Sequence, residues 1–383
     1  MKIALICTEK LPVPPVSGGA IQIYINNIVP ILSEHHEITV ISLKNNKMSD
    51  NEKVGNVQYL RVKGKTADEY IKNIINTIAD EYDLIHVFNR PLWILRLKSA
   101  FPNAKFSLSL HNEMFTTKKI NKERAKKCIN YCEFITTVSQ FIADELKRMY
   151  PESEEKLHTV YSAADLKEFI PPWFNEAKEN SRKMREALDL TDSKIILFVG
   201  RFSPKKGPHI LLKAVQKVME VYSNTAVIMV GSKWYGGNIT DDFGRELHQI
   251  SSNLNGKVIF TGFLPPSEVP KYFQAADIFV CASQWREPLA RVHYEAMASG
   301  LPIITTARGG NAEVIEENVN GFVIHEYNNS EVMADKIMYL LEHPDIAEKM
   351  GGMSRKLAEE KYNWNRVAQQ LLELFNQVKS YSN

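Results

Sequence analysis

Short apolar runs alternate along the chain with stretches that repeat apolar residues at helical spacing. Residues 3–7, 38–43, 57–62, 84–88, 106–110 and 134–138 form a first series of such runs. Each is too short for a buried helix, and the alternation predicts parallel strands in successive βαβ units. Between the first two runs, Ile21, Ile25, Ile28 and Leu32 share one helical face. Pro30 lacks an N–H and is expected to kink or shorten that helix. A second series follows at 195–199, 227–230, 258–260, 278–281 and 303–304. Gly207-Pro208 opens a helix with Leu211, Ala214, Val215 and Val218 on its apolar face, and another helix is expected from about Leu289 to a stop at Gly300 and Pro302.

The chain therefore reads as α/β, with two doubly wound, Rossmann-like domains. A charged and polar stretch, 165–192, surrounds Pro171-Pro172 and marks the connection, giving residues 1–170 to the first domain and 171–363 to the second. The final segment, 364–383, carries Trp364, Val367, Leu371, Leu372, Phe375 and Val378 on one face and is expected to pack back on the first domain. Open α/β sheets hold ligands beyond the carboxyl ends of their strands. Two such sheets facing each other would enclose a cleft, so the strand-to-helix loops are the place to seek function.

Composition narrows the chemistry. At 383 residues, 44% hydrophobic and 24% charged, the chain is long enough for two cores and unlike a disordered one. Its 47 Lys plus Arg against 45 Asp plus Glu create no global field for a polyanion, and the dispersed aromatic residues offer no platform for bases. Nucleic acid is not an expected partner. Cys7, Cys128, Cys132 and Cys281 show neither metal-ligand spacing nor a disulfide framework, which fits a reducing compartment without a metal. Cys128 and Cys132 are read as packing residues, and His35, His36, Arg124, Lys126 and Lys127 as exposed helix or turn positions. The opening run is too short for a signal sequence and none approaches the roughly 18 apolar residues that span a bilayer, so a cytoplasmic protein without a transmembrane segment is expected. Asn238-Ile239-Thr240 and Asn328-Asn329-Ser330 match the glycosylation acceptor pattern by chance.

Three loops carry candidate chemistry. Ser17-Gly18-Gly19-Ala20 lies between the first strand and helix, where backbone N–H groups can approach a phosphate; the same turn serves equally as a flexible connection. Gly200-Arg201-Phe202-Ser203-Pro204-Lys205-Lys206-Gly207 follows a strand directly. There Arg201 can fork onto phosphate oxygens and Lys206 can add a point charge, which suggests a diphosphate, or the pair is a solvated basic loop. Glu287 and Glu295 bracket the third loop. If the residues between them are mostly helical, eight steps of rise put the carboxylates roughly 12 Å apart, too far to act on one bond. That separation suits the two ends of a nucleotide-sugar; alternatively Glu287 favours a helix start and Glu295 lies on the surface. No G-x-G-x-x-G follows the first strand and no P-loop occurs, which removes the main support for nicotinamide or P-loop chemistry.

The glycine pair, the G-R-x-x-x-x-K-G segment and the E-x(7)-E spacing, in that order across two α/β halves, resemble the retaining glycosyltransferases of family 4. The resemblance runs essentially the whole chain and implies the two-domain GT-B fold. It implies that Arg201 and Lys206 bind the donor diphosphate, Glu287 contacts the transferred sugar, Glu295 the ribose, and Gly18 and Gly19 close over the phosphates from the opposite domain. His111 matches the family histidine beside the donor sugar, and Phe263 a loop bordering the base. Gly309 and Gly310 fall at a further glycine-rich turn, read as structural first. Where the family commonly has E-P-F-G, this chain has Glu287-Pro288-Leu289-Ala290, so the donor's approach at Leu289 and Ala290 is altered.

The activity so implied is hexosyl transfer from a nucleoside-diphosphate sugar to an unidentified glycan, protein or small-molecule acceptor, without a metal. The segments 8–14, 111–115, 206–212 and 287–298 resemble, within the family, members from the spore coat of endospore-forming bacteria. That adds a second reading, a structural or interaction component with other coat proteins as partners. A nucleotide-sugar epimerase is a third, which the E-x(7)-E spacing fits less well.

Overall fold

The computed structural model describes residues 1–16, 18–79, 81–232 and 241–380; Ser17 and the Asn238-Ile239-Thr240 sequence lie outside them. The chain divides into two compact units, residues 1–162 with 364–383, and residues 163–363.

The first unit begins β1 (Lys2–Ile6), α1 (Ala20–Leu32), β2 (Glu37–Leu43), β3 (Asn51–Val54), β4 (Val57–Val62), α2 (Ala67–Thr77) and β5 (Leu84–Phe88). It continues α3 (Pro91–Ala100), β6 (Lys105–Leu110), α4 (Lys122–Tyr131), β7 (Cys132–Thr137), α5 (Gln140–Met149) and β8 (Leu157–Thr159). Among the described residues its sheet has the order β3-β4-β2-β1-β5-β6-β7-β8, parallel throughout except β3 against β4. The register sets Ile3 between Ile38 and Leu84. Helices cover both faces, so the central strands are apolar at every position: Ile3, Ala4, Leu5 and Ile6 are wholly buried. The helix starts are capped as their sequences dictate. Thr66, Asn121 and Ser139 accept the N–H groups of Glu69, Arg124 and Ile142, and Pro91 occupies a first-turn position where its missing N–H costs nothing.

The second unit runs α6 (Asn175–Ala187), β9 (Lys194–Val199), α7 (Pro208–Val221), β10 (Thr225–Val230), α8 (Asp242–Ser252), β11 (Lys257–Gly262) and α9 (Val269–Ala275). It then adds β12 (Ile278–Cys281), α10 (Val292–Ala298), β13 (Ile303–Thr306), β14 (Gly321–Ile324), α11 (Ser330–Glu342) and α12 (Pro344–Lys361). Its sheet is parallel, in the order β11-β10-β9-β12-β13-β14. The residues just after Ser162 pack with this unit. Arg355 donates to the carbonyls of Phe169 at 2.9 Å and Ala298 at 2.7 Å, and the Phe169 ring stands edge-on to Phe273. The last helix, α13 (Trp364–Ser380), belongs to the first unit, where Trp364 meets Tyr24 and Phe375 meets His86 and Phe134.

Several local expectations are corrected. α1 continues through Pro30 to Leu32; because Pro30 stands in the last turn, only one backbone bond is lost, and Ser33 closes the end onto Val29 and Pro30. α10 starts at Val292 rather than near Leu289, because Ala290 is held in a non-helical loop described below. β3, β8 and β14 complete the sheets beyond the predicted runs; β3 and β8 lie at edges, are short and are incompletely buried. His36 is not exposed but buried edge-on to Phe375 of α13. Among the described residues, no helix is long and apolar enough to cross a membrane.

Candidate active site

In the second unit β9 is flanked by β10 on one side and β12 on the other, so the strand order reverses there. Such a point opens a crevice beyond the carboxyl ends of the two strands. The loops after β9 and β12 are brought together there by a glycine. Gly207 has φ +69°, and a Cβ on it would lie 1.9 Å from the Ala282 carbonyl oxygen. Gln284 N–H then donates to the Lys205 carbonyl at 2.7 Å, tying one loop to the other.

This contact sets Lys206 against Glu287, with Lys206 Nζ 2.6 Å from Glu287 Oε2. The same oxygen accepts from Trp285 Nε1 at 2.7 Å and from Ser283 Oγ at 3.1 Å. Oε1 has no hydrogen-bond partner among the described residues, although Glu287 is only 7% exposed. Burial pushes the Glu287 carboxyl up, but the charge and hydrogen bond of Lys206, with the bonds from Trp285 and Ser283, outweigh it and hold the group below the ordinary carboxylate range. It is therefore an anion at neutral pH with one oxygen fully used and one available.

Lys206 and Glu287, expected to serve phosphate and sugar separately, thus form a mutual pair. Arg201 lies just past the end of β9 and is exposed, and Phe263 follows β11, partly buried. Leu289 and Ala290 are buried at 9% and 8% exposure. Glu295 stands in the first turn of α10, 3.2 Å from Arg291 Nη2. Burial raises its pKa, Arg291 opposing and Glu168 reinforcing the rise. Among the described residues Glu287 and Glu295 share no hydrogen-bond partner, but the helical-rise distance between them does not apply, since most of the intervening chain is loop. Gly309 and Gly310 support Glu287 from beneath. Gly309 has φ +63°, a Cβ there would lie 1.9 Å from the Glu287 carbonyl oxygen, and Gly310 N–H donates to that oxygen at 2.8 Å. Ser283, Trp285 and Asn311 escaped the sequence reading. The first two precede Glu287 by four and two residues in its own loop, and a Trp in a polar loop was the available signal.

The first unit has the equivalent reversal between β1 and β5, with β2 on the other side of β1. Glu9 follows β1 and Arg90 follows β5. Arg90 Nε and Nη2 donate to Glu9 Oε2 and Oε1 at 2.9 and 2.6 Å. Gly18 and Gly19 have φ of +84° and +103°, and Gly19 caps α1. Gln22, one turn into α1, donates to Thr8 Oγ1 and the Leu11 carbonyl, each at 3.4 Å, and so fastens the loop before it. His111, just after β6, donates its backbone N–H to Asn89 Oδ1 at 3.1 Å. Its ring lies 3.2 Å from Ser109 Oγ and edge-on to Tyr24.

Residues 18–168 match the family described as Glycosyltransferase Family 4, and residues 180–357 that described as Glycosyl transferases group 1. The chain is 44% identical to Spore coat protein SA of Bacillus subtilis over 98% of this chain and 99% of that protein. The chain belongs to glycosyltransferase family 4. Solved structures agree with this family-4 assignment at the level of fold. Sucrose-phosphate synthase from Thermosynechococcus elongatus superposes with TM-score 0.78 at 21% identity, covering 99% of both chains. Anabaena HepE in complex with UDP-glucose superposes with TM-score 0.76 at 20% identity, over 98% of this chain and 100% of that one. This family-4 glycosyltransferase therefore has the GT-B fold.

Proposed function

We propose that the protein transfers a hexosyl group from a nucleoside-diphosphate sugar to a hydroxyl acceptor, with retention at the anomeric carbon. One observation carries the reading: at the strand-order reversal of the second unit, Glu287 Oε2 is saturated by three protein donors while Oε1 is left to accept from a ligand hydroxyl. The ammonium of Lys206 likewise gives one of its three N–H donors to Glu287 and keeps capacity for phosphate oxygens. Cleaving the bond to the sugar builds negative charge on the leaving diphosphate, which Arg201 and Lys206 stabilise. Glu287 orients the sugar and faces the positive charge that develops on its ring. Glu295 accepts from the ribose, Phe263 borders the base, and Leu289 and Ala290 line the donor's path. For His111, Gly18 and Gly19 the roles rest on the family resemblance alone, which implies contact with the donor sugar for the histidine and with the phosphates for the glycines.

The HepE structure holds UDP-glucose, which supports a nucleotide-sugar as the donor class here. The cations take the part a metal ion plays elsewhere, and turnover should persist in EDTA. The test is release of nucleoside diphosphate from a panel of uridine, guanosine and adenosine diphosphate sugars. Arg201→Ala and Glu287→Gln should each lower it about 100-fold or more; equal background turnover in all three proteins would end the reading. The identity to Spore coat protein SA favours a second role, deposition of this cytoplasmic enzyme in the spore coat with other coat proteins as partners. Immunodetection in isolated coat layers, set against the cytoplasmic fraction, tests it.

A further inference from the structure

The loop that carries Glu287 is held by side chains that never touch its carboxylate. Ala290 N–H donates to Asn311 Oδ1 at 3.0 Å, and the Ala290 carbonyl oxygen lies 2.8 Å from His293 Nδ1. A carbonyl has no proton to give, so Nδ1–H is the donor. The far side of the ring is fixed too, with Nε2 2.8 Å from Thr305 Oγ1 on β13. His293, Thr305 and Asn311 are all wholly buried. Both polar groups of one peptide residue are thus taken by buried side chains, three residues after a Glu287 carbonyl that is itself bound by Gly310 N–H. The Ala290 carbonyl also accepts the His293 backbone N–H at 3.2 Å, but the residues from Glu287 to Ala290 lie outside the helices and strands, so the side-chain contacts supply the rest of what holds their path.

We propose that His293 is a positioning residue for the donor sugar: its Nδ1–H anchors the Ala290 carbonyl and thereby fixes the backbone from which Glu287 Oε1 and the Ala290 edge meet the sugar. The inference rests on the donor reading above and goes beyond it, because His293 is wholly buried and acts through the Ala290 backbone. It also accounts for Ala at position 290. The side-chain clamp fixes the local backbone, so the conformational freedom of a glycine is not required there.

Two amides and one ring separate this role from simple core packing. Asn places its amide nitrogen near the position of Nδ1, Gln near that of Nε2, and Phe keeps the ring without a donor. Turnover of the best nucleotide-sugar of the panel is measured for each variant, beside calorimetric affinity for UDP, GDP and ADP. His293→Phe and His293→Gln should lose about 10- to 100-fold in kcat/KM for the sugar donor. His293→Asn should recover most of it, and nucleoside-diphosphate affinity should change less than about threefold in all three, since no sugar is present to be positioned. Asn and Gln variants that are equally impaired, or nucleotide and nucleotide-sugar losses that run in parallel, would show a packing role and overturn the inference. Should His293→Phe fail to fold, the Asn–Gln comparison decides alone. A wild type that neither binds nor turns over any of these compounds would overturn the donor reading and this inference together, whereas active variants with unchanged kcat/KM would overturn only this one.

Discussion

Both sheets carry an ion pair where their strand order reverses, yet the two pairs are finished differently. In the first unit both oxygens of Glu9 are engaged, Oε2 by Arg90 Nε and Oε1 by Arg90 Nη2, with Lys10 at 3.3 Å from Oε1. Arg90 turns a further N–H to the Asn89 carbonyl. In the second unit Lys206, Trp285 and Ser283 crowd one oxygen of Glu287 and leave the other. A guanidinium fork matches a carboxylate and closes on it; an ammonium is a point charge and leaves room. Position in the fold marks both places as ligand crevices. On the proposed function, unused hydrogen-bonding capacity separates the pair that takes a ligand from the pair that holds the fold.

Breaking the closed pair should have the largest effect on stability. Glu9→Gln leaves Arg90 without its counter-charge and is expected to cost about 3 kcal/mol in urea unfolding at neutral pH. The cost should depend on pH. Burial pushes the Glu9 carboxyl up, but the hydrogen bond and charge of Arg90 prevail and hold it below the ordinary range. A lowered folded pKa gives stability that is complete above the unfolded value and is lost as pH falls through the folded one. Wild type and variant should therefore converge in acid, and a gap that stays constant with pH would show that the pair contributes no charge interaction.

Next in size is Gly309→Ala, which combines a φ of +63° with a Cβ at 1.9 Å from the Glu287 carbonyl oxygen. We expect a loss of about 1–3 kcal/mol from backbone strain and displacement, with turnover falling because Glu287 moves. Gly55→Ala in the first unit is the control: φ is +58° but nothing lies within 4 Å of the added Cβ, so only the strain remains. Equal losses at the two glycines would mean that the support under Glu287 has no special tightness. The smallest effect belongs to Ala290→Gly, which keeps both backbone bonds and should change stability by less than about 1 kcal/mol. A thermal-melt shift larger than that would show that the Ala290 methyl group packs as part of the core.

The strands at the centre of each sheet were legible because burial on both faces makes them continuous apolar runs. The edges were less so. Asn51–Val54 is polar and exposed, and Leu157–Thr159 is three residues long, so neither carries a pattern. The loops bearing Arg201, Lys206 and Glu287, and Glu295 at the start of α10, stood out by residue type and spacing. Their pairing did not, because Lys206 and Glu287 are 81 positions apart and meet through the approach of Gly207 to Ala282 and the Gln284–Lys205 backbone bond. His293 and Asn311 read as ordinary polar residues, since nothing local announces that two side chains from different segments will bind one peptide group.

Calorimetric titration of the nucleotide-sugar panel into Lys206→Ala and Arg90→Lys, beside the wild type, tests the contrast most directly. Lys206→Ala should weaken binding about tenfold or more, while Arg90→Lys should bind within about threefold of wild type despite a lower melting temperature. Undiminished binding by Lys206→Ala, or an equal loss in Arg90→Lys, would contradict it.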